Sequence, residues 1–132
     1  MVMGQAVPEG VAAMPPGPEL AALLDSLTPT LVPNDDIHDV LLACSRQLAH
    51  AQARMTALVA EVMCRRPFAG AGEVRRGDTR APYAADEVRV ALAWTRRAAG
   101  AETDFAFVLI RRLPLVFAAL DAGEIDRARA WL

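Results

Sequence analysis

The side chains able to do covalent or metal chemistry are few: Cys44, Cys64, His38 and His50. Thiol exchange needs two sulfurs with Cα atoms within about 7 Å, and a zinc-type site needs three or four N or S donors converging on one point. All four residues fall in one stretch of helical periodicity. On a helix rising about 1.5 Å per residue the two cysteines stand about 30 Å apart and the two histidines about 18 Å apart. No Cys-x-x-Cys or His-x-x-x-His spacing occurs. A disulfide and a shared metal are therefore excluded, and both thiols are expected to be reduced, half-buried packing residues. Asp86 with Glu87 and Glu124 with Asp126 have the form of paired carboxylates. Each pair lies at an expected helix start, where acids cap the first turn and complement the dipole, so no general acid or base is assigned. Gly70-Ala71-Gly72 lacks the Lys-Ser/Thr of a phosphate loop, and Arg76-Gly77-Asp78 is an adhesion-like tripeptide in a chain with no export signal. The sequence assigns no catalytic residue, cofactor, metal or small-molecule ligand, and the chain is not expected to be an enzyme.

Arginine supplies all 14 basic residues, and it recurs in pairs at Arg65/Arg66, Arg75/Arg76, Arg96/Arg97 and Arg111/Arg112. Residues 1–45 hold six acids and no Arg, whereas residues 46–132 hold 14 Arg against ten acids. A basic excess this small permits contact with DNA phosphates without arguing for it. Arg96 and Arg97 are the candidate DNA contacts, because they open a helix that follows another across a Thr-led turn, as in a helix-turn-helix.

These residues must be positioned by helices. Ala makes up 27 of the 132 residues while aromatic residues reach only 5%, so helix formers dominate and strand formers are scarce. The expected fold is all-α, one long helix packed by several shorter ones. Residues 1–33 are expected to be a disordered leader, rich in Pro and Gly, with a short helix over 19–27 opened by Pro18 and a linker over 28–33. Residues 34–132 form the helical domain. Ile37, Leu41, Cys44, Leu48, Ala51, Met55, Leu58 and Val62 recur at alternating steps of 4 and 3, the coiled-coil period. Asn34 is the expected N-cap of this long helix, and Arg65, Arg66 and Pro67 its stop. The stripe requires cover, by later helices folding back or by a second chain, and Asp at Leu48 is expected to unfold the domain. Residues 67–83 read as a loop. Helices follow from Asp86 to near Trp94, from a Thr95 cap to Arg112, from Pro114 to Asp121, and from an Asp126 cap onward. The first and second of these are expected to pack through Val88, Leu92, Phe105, Val108 and Leu109. The domain reads as truncated, since the sequence ends inside a new helix. With no positively charged start and no apolar run near 18 residues, neither a signal peptide nor a membrane span is expected, and the expected compartment is cytoplasmic.

Three segments resemble one family: Leu48-Ala49-His50-Ala51-Gln52-Ala53-Arg54; Ala84-Ala85-Asp86-Glu87-Val88 with Ala91-Leu92 and Thr95-Arg96-Arg97-Ala98-Ala99; and Arg112-Leu113-Pro114 leading to Ala119-Leu120-Asp121-Ala122-Gly123-Glu124-Ile125-Asp126. Their order and spacing over about residues 38–132 are similar to the family catalogued as domain of unknown function 222, found in high-GC bacteria and commonly placed before an HNH endonuclease domain. Trp94 departs from the family, which tends to have a small turn residue there, and the sequence ends where the family continues through more helices into the nuclease part. The resemblance implies a non-catalytic N-terminal module that positions DNA or a partner for a nuclease domain. Weak, salt-sensitive binding to double-stranded DNA and self-association through the long helix are the expected partnerships. The alternative is a structural, oligomerising helical fragment of an interrupted gene, with no ligand.

Overall fold

The computed structural model describes residues 2–67 and 70–131. It is all-α, with six helices among the described residues: α1 (Pro18–Ser26), α2 (Ile37–Cys64), α3 (Ala84–Leu92), α4 (Arg96–Arg112), α5 (Pro114–Asp121) and α6 (Arg127–Trp131). Single 3₁₀ turns occur at Val11–Ala13 and Pro29–Leu31. The chain divides into two compact units, residues 1–53 with 118–132 and residues 54–117.

Local chemistry accounts for most helix ends. Pro18 opens α1, its missing N–H being one that no helix would use. Thr95 caps α4 by accepting the Ala98 N–H at 3.1 Å, and Asp126 caps α6 by accepting the Arg129 N–H at 2.8 Å. The α3–α4 turn is a Schellman arrangement: Ala93 takes the left-handed conformation at φ 54°, and Trp94 N–H donates to Arg89 O at 3.0 Å. Trp94 thereby packs against the Val59, Ala60, Val88 and Ala106 cluster. α5 ends the same way, with Glu124 N–H donating to Ala119 O at 2.9 Å around Gly123 at φ 74°. One expected cap fails. Residues 34–36 form a turn, Val40 N–H donates to Asp36 O at 2.9 Å, and α2 begins at Ile37, so Asn34 is not its N-cap.

In the first unit, Val11, Leu20 and Ala43 form a buried cluster flanked by Val7, Met14, Leu23, Leu24 and Val40. The expected disordered leader is thus a packed part of this unit. Val11 supplies an apolar anchor, while α2 side chains serve the carbonyls and amides that a Pro/Gly-rich chain cannot pair with itself. Arg46 Nη1 donates to Ala12 O at 2.6 Å and Met14 O at 3.0 Å, and Gln47 Oε1 accepts the Gly17 N–H at 2.9 Å. Gln5 adds three more: its backbone N–H donates to Leu31 O at 2.8 Å, its Oε1 accepts the Thr28 N–H at 2.6 Å, and its Nε2 donates to Ser26 O at 3.2 Å.

In the second unit, α3 and α4 pack with the C-terminal half of α2 through Val59, Ala60, Val88 and Ala106. The buried face of α4 is Ala99, Thr103, Ala106 and Leu109, so of the expected packing residues Val88 and Leu109 are buried but Leu92 and Val108 are exposed. Thr103 Oγ1 donates back to Ala99 O at 2.8 Å, which satisfies a fully buried hydroxyl. The loop after α2 folds back to finish the helix: Ala81 N–H donates to Met63 O at 2.7 Å and Gly77 N–H to Cys64 O at 2.8 Å, pairing carbonyls that the last helical turn leaves open. Residues 68 and 69 of the expected loop, and Leu132 at the expected end of the last helix, lie outside the described residues.

Candidate association surface

The α2 sequence offers two faces, each with 4-and-3 spacing. One is the stripe from Ile37 to Val62. The other runs through Ala43, Arg46, His50, Ala53, Ala57, Ala60 and Cys64, about half a turn around the helix. The second face is the one turned inward: Ala43 and Ala53 are fully buried, and Ala60 and Cys64 nearly so. Its small side chains let neighbouring backbones come close, and its two polar members act as clamps. Arg46 holds the carbonyls of residues 12 and 14, and His50 Nδ1 stands 2.8 Å from Asp121 O and 3.1 Å from Asp121 Oδ1, tying α2 to the end of α5. Gly123 makes the approach feasible, because a Cβ there would lie 3.0 Å from both Cβ and O of Arg46.

The stripe faces outward. Leu41 is 66% exposed, Leu48 58%, Met55 42% and Leu58 67%, with Ile37, Cys44 and Ala51 also exposed and only Val62 half-buried. Of the two cysteines, both expected to be half-buried, only Cys64 is buried. Asp at Leu48 would therefore meet water in the isolated chain, which removes the expectation that it unfolds the domain. A single exposed leucine is ordinary. A row of them along one helix is the pattern of an interaction surface.

In the second unit the surface deepens into a groove of about 430 Å³ between α2 and α3. Met55, Leu58 and Val62 of α2 line it on one side, and Glu87, Val88, Ala91 and Leu92 of α3 on the other. Its chemistry is that of a slot for apolar side chains, with no nucleophile, no metal-type ligand and no polar floor. Among the described residues no group of three or more His, Cys, Asp or Glu converges on a point where a metal ion could sit.

The arginine pairs are mostly occupied as ties. Glu61 accepts from Arg65 Nε at 2.8 Å and from both Nε and Nη2 of Arg76. The Arg76 guanidinium above all holds the Glu61 carboxyl below the usual carboxylate range, against the opposing effect of burial and with Arg65 in support. Arg66 Nη2 donates to Thr79 O, and Arg111 Nη2 donates to Asp78 O at 3.0 Å. The guanidinium groups of Arg80 and Arg111 lie over the Phe107 ring, 5.3 and 5.6 Å from its centre, while Arg80 also pairs with Asp104 at 2.8 Å. Arg96 and Arg97, the candidate DNA contacts, are exposed in the first turn of α4. Asp86 and Glu87 lie in the first turn of α3. His38 is exposed on α2, in the first turn, where His50 is a clamp. No helix among the described residues is long and apolar enough to cross a membrane.

No protein-family model, curated protein or solved structure matches the chain.

The clamps were missed from sequence because Arg46 and His50 interrupt the alanine face and lower its apparent hydrophobicity. The signal that could have found them is the spacing itself, since both sit in register with Ala43, Ala53 and Ala60.

Proposed function

We propose that this chain is a non-catalytic helical association module whose working surface is the outward stripe of α2. The observation that carries the reading is the row of exposed Leu41, Leu48, Met55 and Leu58 at coiled-coil spacing. The resemblance drawn from the sequence extends the role: such a module would hold DNA or a partner for an HNH nuclease domain. Without that extension it is an oligomerising element with no ligand. Sedimentation velocity over a concentration series tests the core of the reading. Wild-type chain is expected to associate as concentration rises, and Leu48→Asp to remain monomeric while melting at the wild-type temperature measured in dilute solution. A wild-type chain that stays monomeric at high concentration removes the proposal.

A second reading, binding to double-stranded DNA, is favoured by one feature. α3, a tight turn and a Thr95-capped α4 form a helix–turn–helix connection that leaves Arg96 and Arg97 exposed at the start of the second helix. Phosphate contacts from these side chains would give weak, sequence-tolerant binding that falls steeply with salt. In an electrophoretic titration at low salt, joint replacement of Arg96→Ala and Arg97→Ala is expected to weaken the shift. A shift indifferent to both changes sinks this reading.

A further inference from the structure

Building on the association reading, we infer that the occupant of the α2 stripe is a second copy of this chain, and that the two α2 helices pair antiparallel. The stripe divides into alternating a and d positions, with Leu41, Leu48, Met55 and Val62 at a, and Ile37, Cys44, Ala51 and Leu58 at d. In an antiparallel pair each a residue meets a d residue of the other helix. Centring the pair between Leu48 and Ala51 gives four kinds of layer: Leu48 with Ala51, Met55 with Cys44, Leu41 with Leu58, and Val62 with Ile37. Every central layer then combines a large side chain with a small one, so the helices can keep one separation along their length.

A parallel pair would instead stack Ala51 on Ala51 and Cys44 on Cys44 between layers of paired Leu and Met. That alternates gaps with crowding, which close packing disfavours. Charge points the same way. The acidic part of the chain, six acids and no Arg through residue 45, contains the start of α2, and the Arg-rich remainder contains its end. Antiparallel pairing sets the acidic end of each helix beside the basic end of the other, whereas parallel pairing sets like beside like. Area is also sufficient. The stripe side chains expose on the order of 500 Å² per chain, so a two-fold pair would bury about 1,000 Å², the lower bound of specific interfaces. A symmetric, self-complementary surface of this kind closes as a dimer. In it, Ile37, Leu41 and Cys44 of one copy fill the groove that Met55, Leu58 and Leu92 line in the other.

Cys44, exposed and at a stripe position, reports the direction of pairing. In the antiparallel register it faces Met55 of the second copy, and the two Cys44 thiols stand about 16 Å apart, beyond disulfide reach. In a parallel register they face each other. The experiment compares wild type with Met55→Cys, oxidised at a concentration where sedimentation finds dimer, with the linked peptides identified by mass. The expected result is that wild type forms no Cys44–Cys44 link while Met55→Cys becomes a covalent dimer joined from Cys44 to the position-55 thiol. A Cys44–Cys44 link in wild type, or a Met55→Cys dimer lacking the cross-link, overturns the antiparallel register but leaves association standing. Absence of dimer in sedimentation instead removes the association reading on which this inference rests.

Discussion

The two units are held together by different physics. The first adds to its Val11, Leu20 and Ala43 cluster a set of directed hydrogen bonds: Arg46, Gln47, His50 and Gln5 serve backbone groups of segments that make little regular structure of their own. The second relies on an apolar cluster among α2, α3 and α4, with its charged ties, Glu61 to Arg65 and Arg76 or Arg80 to Asp104, lying at the surface. Directed bonds concentrate stability in a few atoms, because a stranded buried carbonyl loses its whole hydration. Apolar burial spreads stability over area, and surface ion pairs add little to it. Substitutions in the two units should therefore differ in kind as well as in size.

The largest effect is expected in the second unit. Leu109→Ala empties a site that is 1% exposed and should cost about 2–5 kcal/mol, read as a lower urea midpoint with unchanged slope. A loss below 1 kcal/mol would mean that apolar burial along α4 is not what holds this unit. Next comes Gly123→Ala in the first unit. A Cβ at φ 74° is strained, and it would press on Arg46 at 3.0 Å, so about 2 kcal/mol of stability should be lost. Neutral behaviour in thermal melts would show that α2 and the α5 end do not approach as described.

Arg46→Met keeps the aliphatic stem while stranding the carbonyls of Ala12 and Met14, for about 1–3 kcal/mol, and should speed amide exchange in residues 11–17 ahead of the rest. Uniform exchange would erase the distinction between the units. Gly100→Ala is expected to stabilise by about 0.5–1 kcal/mol, since nothing lies within 4 Å of the added methyl inside α4.

The smallest effect is Glu61→Gln, visible mainly in its pH dependence. The folded state holds Glu61 below its ordinary pKa, so the unfolded chain binds the proton more readily. The contribution is present above the ordinary carboxylate range and fades as pH falls through the lowered value. Wild type should lose stability on acidification slightly more steeply than Glu61→Gln, in paired melts from neutral pH to below pH 4. Parallel curves would show that the Arg76 contact has no influence on folding.

The amino-acid sequence by itself determined where most of the helices begin and end. Pro18, Thr95, Pro114, Gly123 and Asp126 act on the nearest turn through fixed φ, a missing N–H, a side-chain acceptor or a tolerated left-handed residue, and these effects need no tertiary context. The Schellman turn at Ala93 and Trp94 was less legible, since it places a non-glycine residue at positive φ and depends on Trp94 finding the apolar cluster. Only the tertiary structure decided which face of α2 goes inside. Both faces carry the same spacing, and by hydrophobicity alone the leucine stripe outranks a face broken by Arg46 and His50. What reverses the order is distance and hydrogen bonding. Alanine lets the backbones of residues 11–14 and 121–124 approach closely enough for Arg46 and His50 to reach their carbonyls, and a row of leucines there would hold those carbonyls away from any donor. The leucines are left on the outside, where they form the surface proposed to receive a partner.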